Sequence, residues 1–179
     1  GSAHAETQLL DALSGDLSDV TIYVTLEPCS HHGKTGPCVD ALIARNIQRL
    51  VYAYADPNPI VQSGNGLERL AQHGIEVVHY PMQRIDRFYR SYTHWIQTKR
   101  PWVTAKIAQT LDGKIAKSHG KPLTITNQAC AEFTHVCRRY SDLILTSAQT
   151  IIQDNPRLTA RIGDNEWKKP IAIVDRQLR

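Results

Sequence analysis

The chain has 179 residues, of which 41% are apolar and 21% are charged, as in an ordinary globular protein. A formal net charge of +4 at pH 7 suits a protein that handles phosphorylated small molecules, and it is too small to argue for a nucleic-acid partner. No apolar run is long enough to cross a bilayer and no signal-peptide pattern opens the chain, so we expect a cytoplasmic protein with no membrane partner. In that reducing compartment the four cysteines are expected to be thiols or metal ligands.

The first hundred residues alternate between helical and strand periodicity. Leu9, Leu10 and Leu13 have helical spacing within residues 5–13, and residues 20–26 (VTIYVTL) form a β-branched, apolar strand pattern. The pattern then predicts, in order, helix 38–46, strand 49–56, helix 66–74, strand 75–80 and an aromatic-rich helix 82–97. This alternation predicts an α/β fold, a mostly parallel sheet between helical layers in a three-layer αβα sandwich.

A second α/β segment follows a short linker at residues 98–101 (TKRP). The pattern predicts strand 102–111, a turn at residues 112–113, helix 127–140, strand 142–148, a polar insertion at 161–169 and strand 170–175. We therefore expect two domains, residues 1–98 and residues 99–179. About eighty residues would bury too little apolar surface to be stable alone, so we expect that the chain is truncated at both ends.

A candidate metal site lies near the start of the chain. His4, Cys29 and Cys38 are residue types that bind zinc, and a catalytic zinc site keeps a fourth position open for water. Glu6 follows His4 by two residues and suits a proton shuttle beside that water.

The spacing of these residues is informative. Nucleobase deaminases carry H-x-E followed by P-C-x-x-C. This chain has His4-Ala5-Glu6 and Pro28-Cys29, but eight residues (SHHGKTGP) separate Cys29 from Cys38. We interpret the pattern as a catalytic zinc deaminase core; the alternatives are a structural zinc site, which usually has four protein ligands, or two buried thiols.

The loop between the two cysteines carries His31, His32 and Lys34. These side chains could bind a phosphate or a polar ring of a substrate. Alternatively the loop is solvated, or one of the histidines is the fourth zinc ligand.

Three longer stretches carry a family resemblance: the run from His4 to Pro59 (HAE, YVTLEPCSHHGKTGPC, DALI, DPNP), then KIAQTLDGKIA, then TSAQTIIQDNPRLTAR. Together they closely resemble the bifunctional deaminase/reductase family of riboflavin biosynthesis. The resemblance implies a cytidine-deaminase-like domain followed by part of a dihydrofolate-reductase-like domain. It also implies zinc-dependent deamination of 2,5-diamino-6-(5-phosphoribosylamino)pyrimidin-4-one, followed by NADPH-dependent reduction of the ribosyl group.

The resemblance also implies roles for individual residues. His4, Cys29 and Cys38 fall at zinc-ligand positions and Glu6 at that of the proton shuttle. In the reductase part, the positions that contact the cofactor are Ala108, Thr150 and Asp154, and those that contact the substrate are Arg138, Leu158 and Arg161. The alternatives are a core position for Leu158, a turn residue at Asp154 and a solvated helix residue at Arg138.

The chain departs from the family pattern at several positions. Gly36 replaces a proline in the loop between the cysteines. Pro122 and Thr124-Ile125 stand where family members have a serine and a Trp-Ile pair that contact substrate and cofactor, so NADPH contacts are expected to be fewer here.

Two other functions have to be weighed. A tRNA or nucleobase deaminase would show the short Cys-x-x-Cys and a more basic surface. A catalytically incomplete zinc-binding fragment would hold metal without turnover.

Three further expectations concern assembly and packing. We expect a homo-oligomer and two buried thiols at Cys130 and Cys137. We also expect the aromatic residues of helix 82–97 to form a seam between the domains.

Overall fold

The computed structural model describes residues 3–33, 35–117 and 123–178. The chain divides into two compact units, Gly1–Thr104 and Ala105–Arg179. Each unit is described by itself below. No helix in the described ranges is both long and apolar enough to span a membrane.

The first unit is built around a three-stranded parallel sheet in the order β1-β2-β3. Its elements in chain order are α1 (Ala5–Ala12), β1 (Thr21–Leu26), α2 (Cys38–Ala44), β2 (Arg49–Tyr54), α3 (Pro59–Gln62), α4 (Gly66–Gln72), β3 (Glu76–His79) and α5 (Gln83–Thr98). The three predicted strands and four predicted helices are present, each within a few residues of its predicted ends. The sequence pattern did not predict α3, which is a single turn.

The hydrophobic core of this unit lies on one face of the sheet. Ile22, Leu50 and Val77 are in register across the three strands, and their side chains therefore share a face. Leu10 of α1, Leu42 of α2 and Leu70 of α4 belong to the same buried cluster. Each fully buried leucine contributes about 1.5–3 kcal/mol to folding, so this core fixes α1 and α2 against the sheet.

Helix α5 packs against β2 near the carboxyl ends of the strands. The Tyr54 ring stacks on Tyr89 with centroids 5.2 Å apart, and the Tyr54 hydroxyl lies 2.7 Å from the Thr93 hydroxyl. The Tyr92 hydroxyl donates a 2.9 Å hydrogen bond to Asp56, just beyond β2. Tyr89 and Tyr92 thus pack inside the first unit, against its own sheet.

The second unit contains a parallel pair of strands and a hairpin. Its elements are α6 (Gln128–Arg139), β4 (Ile144–Ser147), α7 (Ala148–Asp154), β5 (Ala160–Ile162), β6 (Asn165–Trp167) and β7 (Ile171–Val174). Strand β4 pairs with β7 in parallel, and β5 pairs with β6 in antiparallel register. Both helices begin at side-chain caps, because Asn127 accepts from the Cys130 N–H and Ser147 accepts from the Thr150 N–H.

Two sequence predictions for this part of the chain were wrong, and a third did not include the hairpin that the structure shows. Residues 102–111 form no strand, since no neighbouring strand pairs with them among the described residues, and Val103 and Ile107 are largely exposed. The predicted polar insertion is the β5–β6 hairpin, whose Gly163-Asp164 connection is a recognisable hairpin signal. Cys130 is exposed and Cys137 half-buried, so they are not two buried thiols.

Candidate metal centre and active site

The three predicted metal ligands converge at one end of the first unit. His4 is the residue before α1, Cys29 follows β1 and Cys38 is the first residue of α2. His4 Nδ1 lies 3.5 Å from Cys29 Sγ and 3.3 Å from Cys38 Sγ. All three ligand atoms lie within 4.8 Å of one another.

These distances fit a tetrahedral metal ion. In a zinc site with Zn–S of about 2.3 Å and Zn–N of about 2.0–2.1 Å, neighbouring sulfur and nitrogen ligands are about 3.6 Å apart. The two observed nitrogen–sulfur distances, 3.5 and 3.3 Å, are close to that value. Two sulfurs and one imidazole are also the donor set that zinc prefers, and they leave one coordination position open.

The surroundings of the two sulfurs differ. Cys38 is fully buried, and burial raises the pKa of its thiol, with smaller contributions from the charges of Glu6 and Cys29. A buried thiol of this kind becomes a thiolate only with a cation beside it. Cys29 Sγ instead accepts a 3.4 Å hydrogen bond from the Cys38 N–H at the start of α2. The site therefore favours a bound divalent cation over two free thiols.

Glu6 lies beside the ligand group without belonging to it. The group that could hold a metal consists of His4, Cys29 and Cys38, while the Glu6 carboxylate acts on the Cys38 thiol through its charge. Glu6 is half-buried in the first turn of α1. A carboxylate next to an open coordination position can accept and return a proton.

Residues that the sequence interpretation missed support this centre. The Thr7 hydroxyl forms a hydrogen bond with Cys38, which lowers the pKa of that thiol; its position three residues after His4 places it on the same face of α1. Glu27 accepts a 3.1 Å hydrogen bond from the Asp56 N–H, and burial raises the pKa of Glu27. The sequence did contain a signal for Glu27, because an acidic residue stands there directly after an apolar strand and directly before Pro28-Cys29.

The buried Asp56 organises the loop after β2. One of its carboxylate oxygens accepts hydrogen bonds from the Asn58 N–H and from the Tyr92 hydroxyl, both 2.9 Å long. The Asn58 side chain in turn caps α3 through the Ile60 N–H. Through Glu27 this loop is joined to the segment that carries Cys29.

The histidines between the two cysteines have different environments. His31 is half-buried, and its Nδ1 atom is buried without a hydrogen-bond partner among the described residues. His32 is exposed, and neither histidine belongs to the metal-ligand group. Lys34 lies outside the described residues. The described residues of this loop thus offer no fourth protein ligand, and the unsatisfied imidazole nitrogen belongs to a residue two positions after Cys29 in the chain.

Five of the six residues predicted to form sites in the second unit fall into two sets, and Ala108 lies outside both. Arg138 of α6 and Arg161 of β5 both donate to Thr159, to its carbonyl and its hydroxyl respectively. His135 joins them, since its Nδ1 accepts from the Arg161 N–H at 3.2 Å. Leu158 is buried directly before Thr159, with a backbone φ of 52° in the left-handed region.

The second set comprises Thr150 and Asp154, which lie four residues apart on α7. Thr150 is half-buried and its hydroxyl lies 3.1 Å from that of Ser147, whereas Asp154 is exposed. Helix α7 begins at the carboxyl end of β4, the usual place for a ligand in a parallel sheet. Ala108 is half-buried in a segment without regular structure, and Pro122 lies outside the described residues.

An open cleft of about 470 Å³ lies elsewhere in the first unit. It is lined at the ends of β2 and β3 by residues that include Tyr54, His79 and Asp86. His4, Cys29 and Cys38 do not line it, so the side chains that could hold a metal converge outside this cleft.

Two family models match the chain. Residues 1–54 match the cytidine and deoxycytidylate deaminase zinc-binding region, and residues 101–179 match the RibD C-terminal domain. The riboflavin biosynthesis protein RibD of Aquifex aeolicus is 40% identical over 97% of this chain, and that of Escherichia coli is 40% identical over 100% of it. The chain belongs to the RibD family.

The similarity to RibD extends to solved structures. A Thermotoga maritima protein described as a diaminohydroxyphosphoribosylaminopyrimidine deaminase/5-amino-6-(5-phosphoribosylamino)uracil reductase matches with a TM-score of 0.88 and 38% identity. It covers 99% of this chain, and this chain covers 51% of it. Acinetobacter baumannii RibD matches with a TM-score of 0.81 and 32% identity, with coverages of 99% and 52%.

These comparisons confirm the predicted family and α/β fold class. A deaminase-like zinc-binding region is followed by a region of the RibD reductase type. The chain spans about half the length of the curated RibD relatives it matches, 49% of both the Aquifex aeolicus and the Escherichia coli proteins. The zinc-binding region contains His4, Glu6, Cys29 and Cys38, which is consistent with the ligand group described above.

Proposed function

We propose that this chain acts in riboflavin biosynthesis as a zinc-dependent hydrolytic deaminase of a phosphoribosylaminopyrimidine. Its second unit would belong to the NADPH-dependent reductase that acts on the product. The observation that carries the deaminase proposal is the convergence of His4 Nδ1, Cys29 Sγ and Cys38 Sγ beside the carboxylate of Glu6.

In this proposal, His4, Cys29 and Cys38 hold the metal and Glu6 moves the protons. A bound zinc ion would supply Lewis acidity, which lowers the pKa of a water molecule towards neutrality. The Glu6 carboxylate accepts a proton as the water oxygen adds to the amino-bearing ring carbon. The same carboxyl returns the proton to the departing amine, so that ammonia leaves and a carbonyl remains.

His31, His32 and Lys34 are proposed to bind the polar part of the substrate. The buried His31 Nδ1 has no hydrogen-bond partner among the described residues. Leaving such an atom unsatisfied costs about 1–3 kcal/mol, which a substrate oxygen or hydroxyl placed there would offset.

For the reductase step, Arg138, Leu158 and Arg161 are proposed to contact the substrate. Burial lowers the pKa of Arg138, and the charge of Arg161 lowers it further. The two guanidinium groups therefore lie close enough to interact. Paired cations of this kind suit a phosphate or another anionic group. NADPH would supply the hydride, held by Ala108, Thr150 and Asp154; the place of Thr150 in the first turn of α7, just beyond β4, fits a nucleotide site.

The match of residues 101–179 to the RibD C-terminal domain favours this function over a deaminase acting on tRNA. A cytoplasmic location and a homo-oligomeric state remain predictions.

The decisive experiment replaces Glu6 by glutamine. Because glutamine cannot accept the proton, ammonia release from the diaminopyrimidine is expected to fall by about 10²–10⁴-fold while the zinc content stays unchanged. Glu68→Gln, at an exposed carboxylate on α4, is the matched control and is expected to keep full activity.

Full activity in Glu6→Gln would refute the assignment of the proton shuttle. Wild-type chain that binds one zinc ion but releases no ammonia would support the alternative of a catalytically incomplete zinc-binding fragment.

A further inference from the structure

Two glycines pack against the segment that carries Cys29. Gly64 precedes α4 and Gly66 is its first residue, where it is buried. Between them Asn65, the residue before α4, has a φ of 46°, in the left-handed region. The Ser30 hydroxyl donates a 3.1 Å hydrogen bond to the Val61 carbonyl of α3 and so ties this segment down.

Neither glycine leaves room for a side chain. A Cβ atom on Gly64 would lie 2.0 Å from Ser30 Oγ and 2.8 Å from Ser30 Cβ. A Cβ atom on Gly66 would lie 2.9 Å from Val39 Cγ2 and 3.1 Å from Ser30 Cβ. Neither glycine is among the residues with positive φ, so close packing is the requirement at these positions.

The atoms that would be displaced are next to the metal ligands. Ser30 directly follows Cys29, and Val39 directly follows Cys38. The Ser30 hydroxyl could rotate away and lose its bond to Val61, but its Cβ atom can move only with the backbone. The Val39 N–H also donates to the Cys29 carbonyl at 3.2 Å, so movement of either segment affects both sulfurs.

We infer that Gly64 and Gly66 are positioning residues of the metal centre, because their lack of side chains lets the α3–α4 segment hold Ser30, and with it the Cys29 sulfur, at coordinating distance from His4. This inference rests on the metal site proposed above. Moving Ser30 Cβ from 2.8 Å to an ordinary contact distance takes a shift of about 0.6 Å even if the hydroxyl rotates away. Metal–ligand distances hold to within about 0.2 Å, so a shift of that size passed on to Cys29 would disturb coordination.

The inference is tested by measuring zinc affinity, in competition with a chromophoric chelator, for the wild-type chain and for Gly64→Ala. We expect the affinity to fall by about 10–100-fold, the range seen when outer partners of metal ligands are altered. Gly36→Ala is the matched control, because Gly36 lies between the same two cysteines and a Cβ atom there meets none of the described residues within 4 Å. This control is expected to bind zinc like the wild type.

A second change separates the proposed contact from a general loss of stability. Ser30→Gly removes both Ser30 atoms that a methyl group on Gly64 would strike. Gly64→Ala should therefore reduce the zinc affinity strongly in the wild-type chain but only slightly in the Ser30→Gly variant, so that the double variant Ser30→Gly/Gly64→Ala binds zinc nearly as well as Ser30→Gly. With cobalt(II) in place of zinc, the visible spectrum of Gly64→Ala should lose the tetrahedral form, and that of the double variant should regain it.

Each outcome bears on the inference. Wild-type affinity in Gly64→Ala, or an equal loss with and without the Ser30 side chain, would overturn it. If Gly64→Ala does not fold, circular dichroism of the metal-free double variant must show recovery of the fold, and failure to recover would also overturn it. A wild-type chain that binds no zinc would instead refute the metal site itself.

Discussion

Arg45 holds the carboxyl end of the helix that begins at the metal centre. Its guanidinium donates to the Leu10 carbonyl at 2.6 Å and to the Leu13 carbonyl at 3.0 Å. Helix α1 has only eight residues, and a helix of that length is not stable without tertiary contacts. Arg45→Met replaces the arginine by an apolar side chain of similar length that has no hydrogen-bond donor, so both hydrogen bonds are lost.

The size of the effect follows from these two bonds. A hydrogen bond from a charged donor contributes about 1.5–3 kcal/mol, and the positive charge near the end of α1 adds a few tenths more. Since Arg45 is only half-buried, water replaces part of what is lost. We therefore expect Arg45→Met to lower the free energy of unfolding of the first unit by about 2–3 kcal/mol.

Two measurements check this value. Urea denaturation of the metal-free chain reports the free energy of unfolding, and hydrogen exchange of the α1 amides reports local opening. Because His4 and Glu6 depend on α1, the zinc affinity should fall as well, by up to about 30-fold for a 2 kcal/mol cost. Arg49→Met is the control: Arg49 pairs with Glu76 across two side chains that are 41% and 54% exposed, and an ion pair that is so exposed contributes little to stability. If Arg45→Met cost no more than Arg49→Met, the proposed role of Arg45 would be wrong.

Three further predictions concern stability. Leu42→Ala removes a fully buried side chain from the core and should cost about 3–5 kcal/mol in chemical denaturation, and a cost under about 1 kcal/mol would mean that the core is loosely packed. Tyr92→Phe removes the donor to Asp56 and should cost about 1–2 kcal/mol in the same assay, whereas no change would mean that this hydrogen bond contributes nothing. Burial is the largest cause that lowers the pKa of His135 below its ordinary value of 6.5, and the charge of Arg161 is the next. As the pH falls, His135 is therefore protonated in the unfolded chain before it is protonated in the folded chain. The contribution of His135 to stability is therefore full above about pH 6.5 and declines as the pH falls through the interval down to the folded-state pKa, and thermal melts of His135→Asn should lack this decline.

Matched variants sharpen these tests. Leu9 is 41% exposed on α1, so Leu9→Ala should cost much less than Leu42→Ala. His73→Asn, at an exposed histidine after α4, should leave the pH dependence of unfolding unchanged. If the stability of His135→Asn declined as steeply with falling pH as that of the wild type, the decline would originate from another titratable group.

The sequence predicted the first unit closely because its signals are local and mutually consistent. The apolar residues 20–26 form β1 as the pattern predicts, with Ile22 buried in the core, but the strand is buried on one face only because Tyr23 on the other face is 75% exposed. The convergence of His4, Cys29 and Cys38 could be predicted because each stands at a helix start or after a strand end, and parallel topology brings such positions together.

The remaining features depend on contacts that no local pattern specifies. Residues 102–111 have strand-like alternation, but a strand also needs a partner, and periodicity does not reveal whether one is available. The need for glycine at position 64 comes from Ser30, which lies more than thirty residues earlier in the chain. The contacts that join His135 to Arg161 and Tyr92 to Asp56 also span more than twenty residues. These pairs therefore could not be predicted from local sequence patterns.

The two cysteine sulfurs that face His4 also determine how a preparation of this protein ages. Held within 4.8 Å of each other and with no disulfide formed, they are placed for air oxidation to a covalent S–S bond whenever the metal is lost. Zinc bound at this proposed site would occupy both sulfurs and protect them. Storage without reductant should therefore lower the number of free thiols per chain once zinc is lost, and reductant together with zinc in the buffer should preserve them.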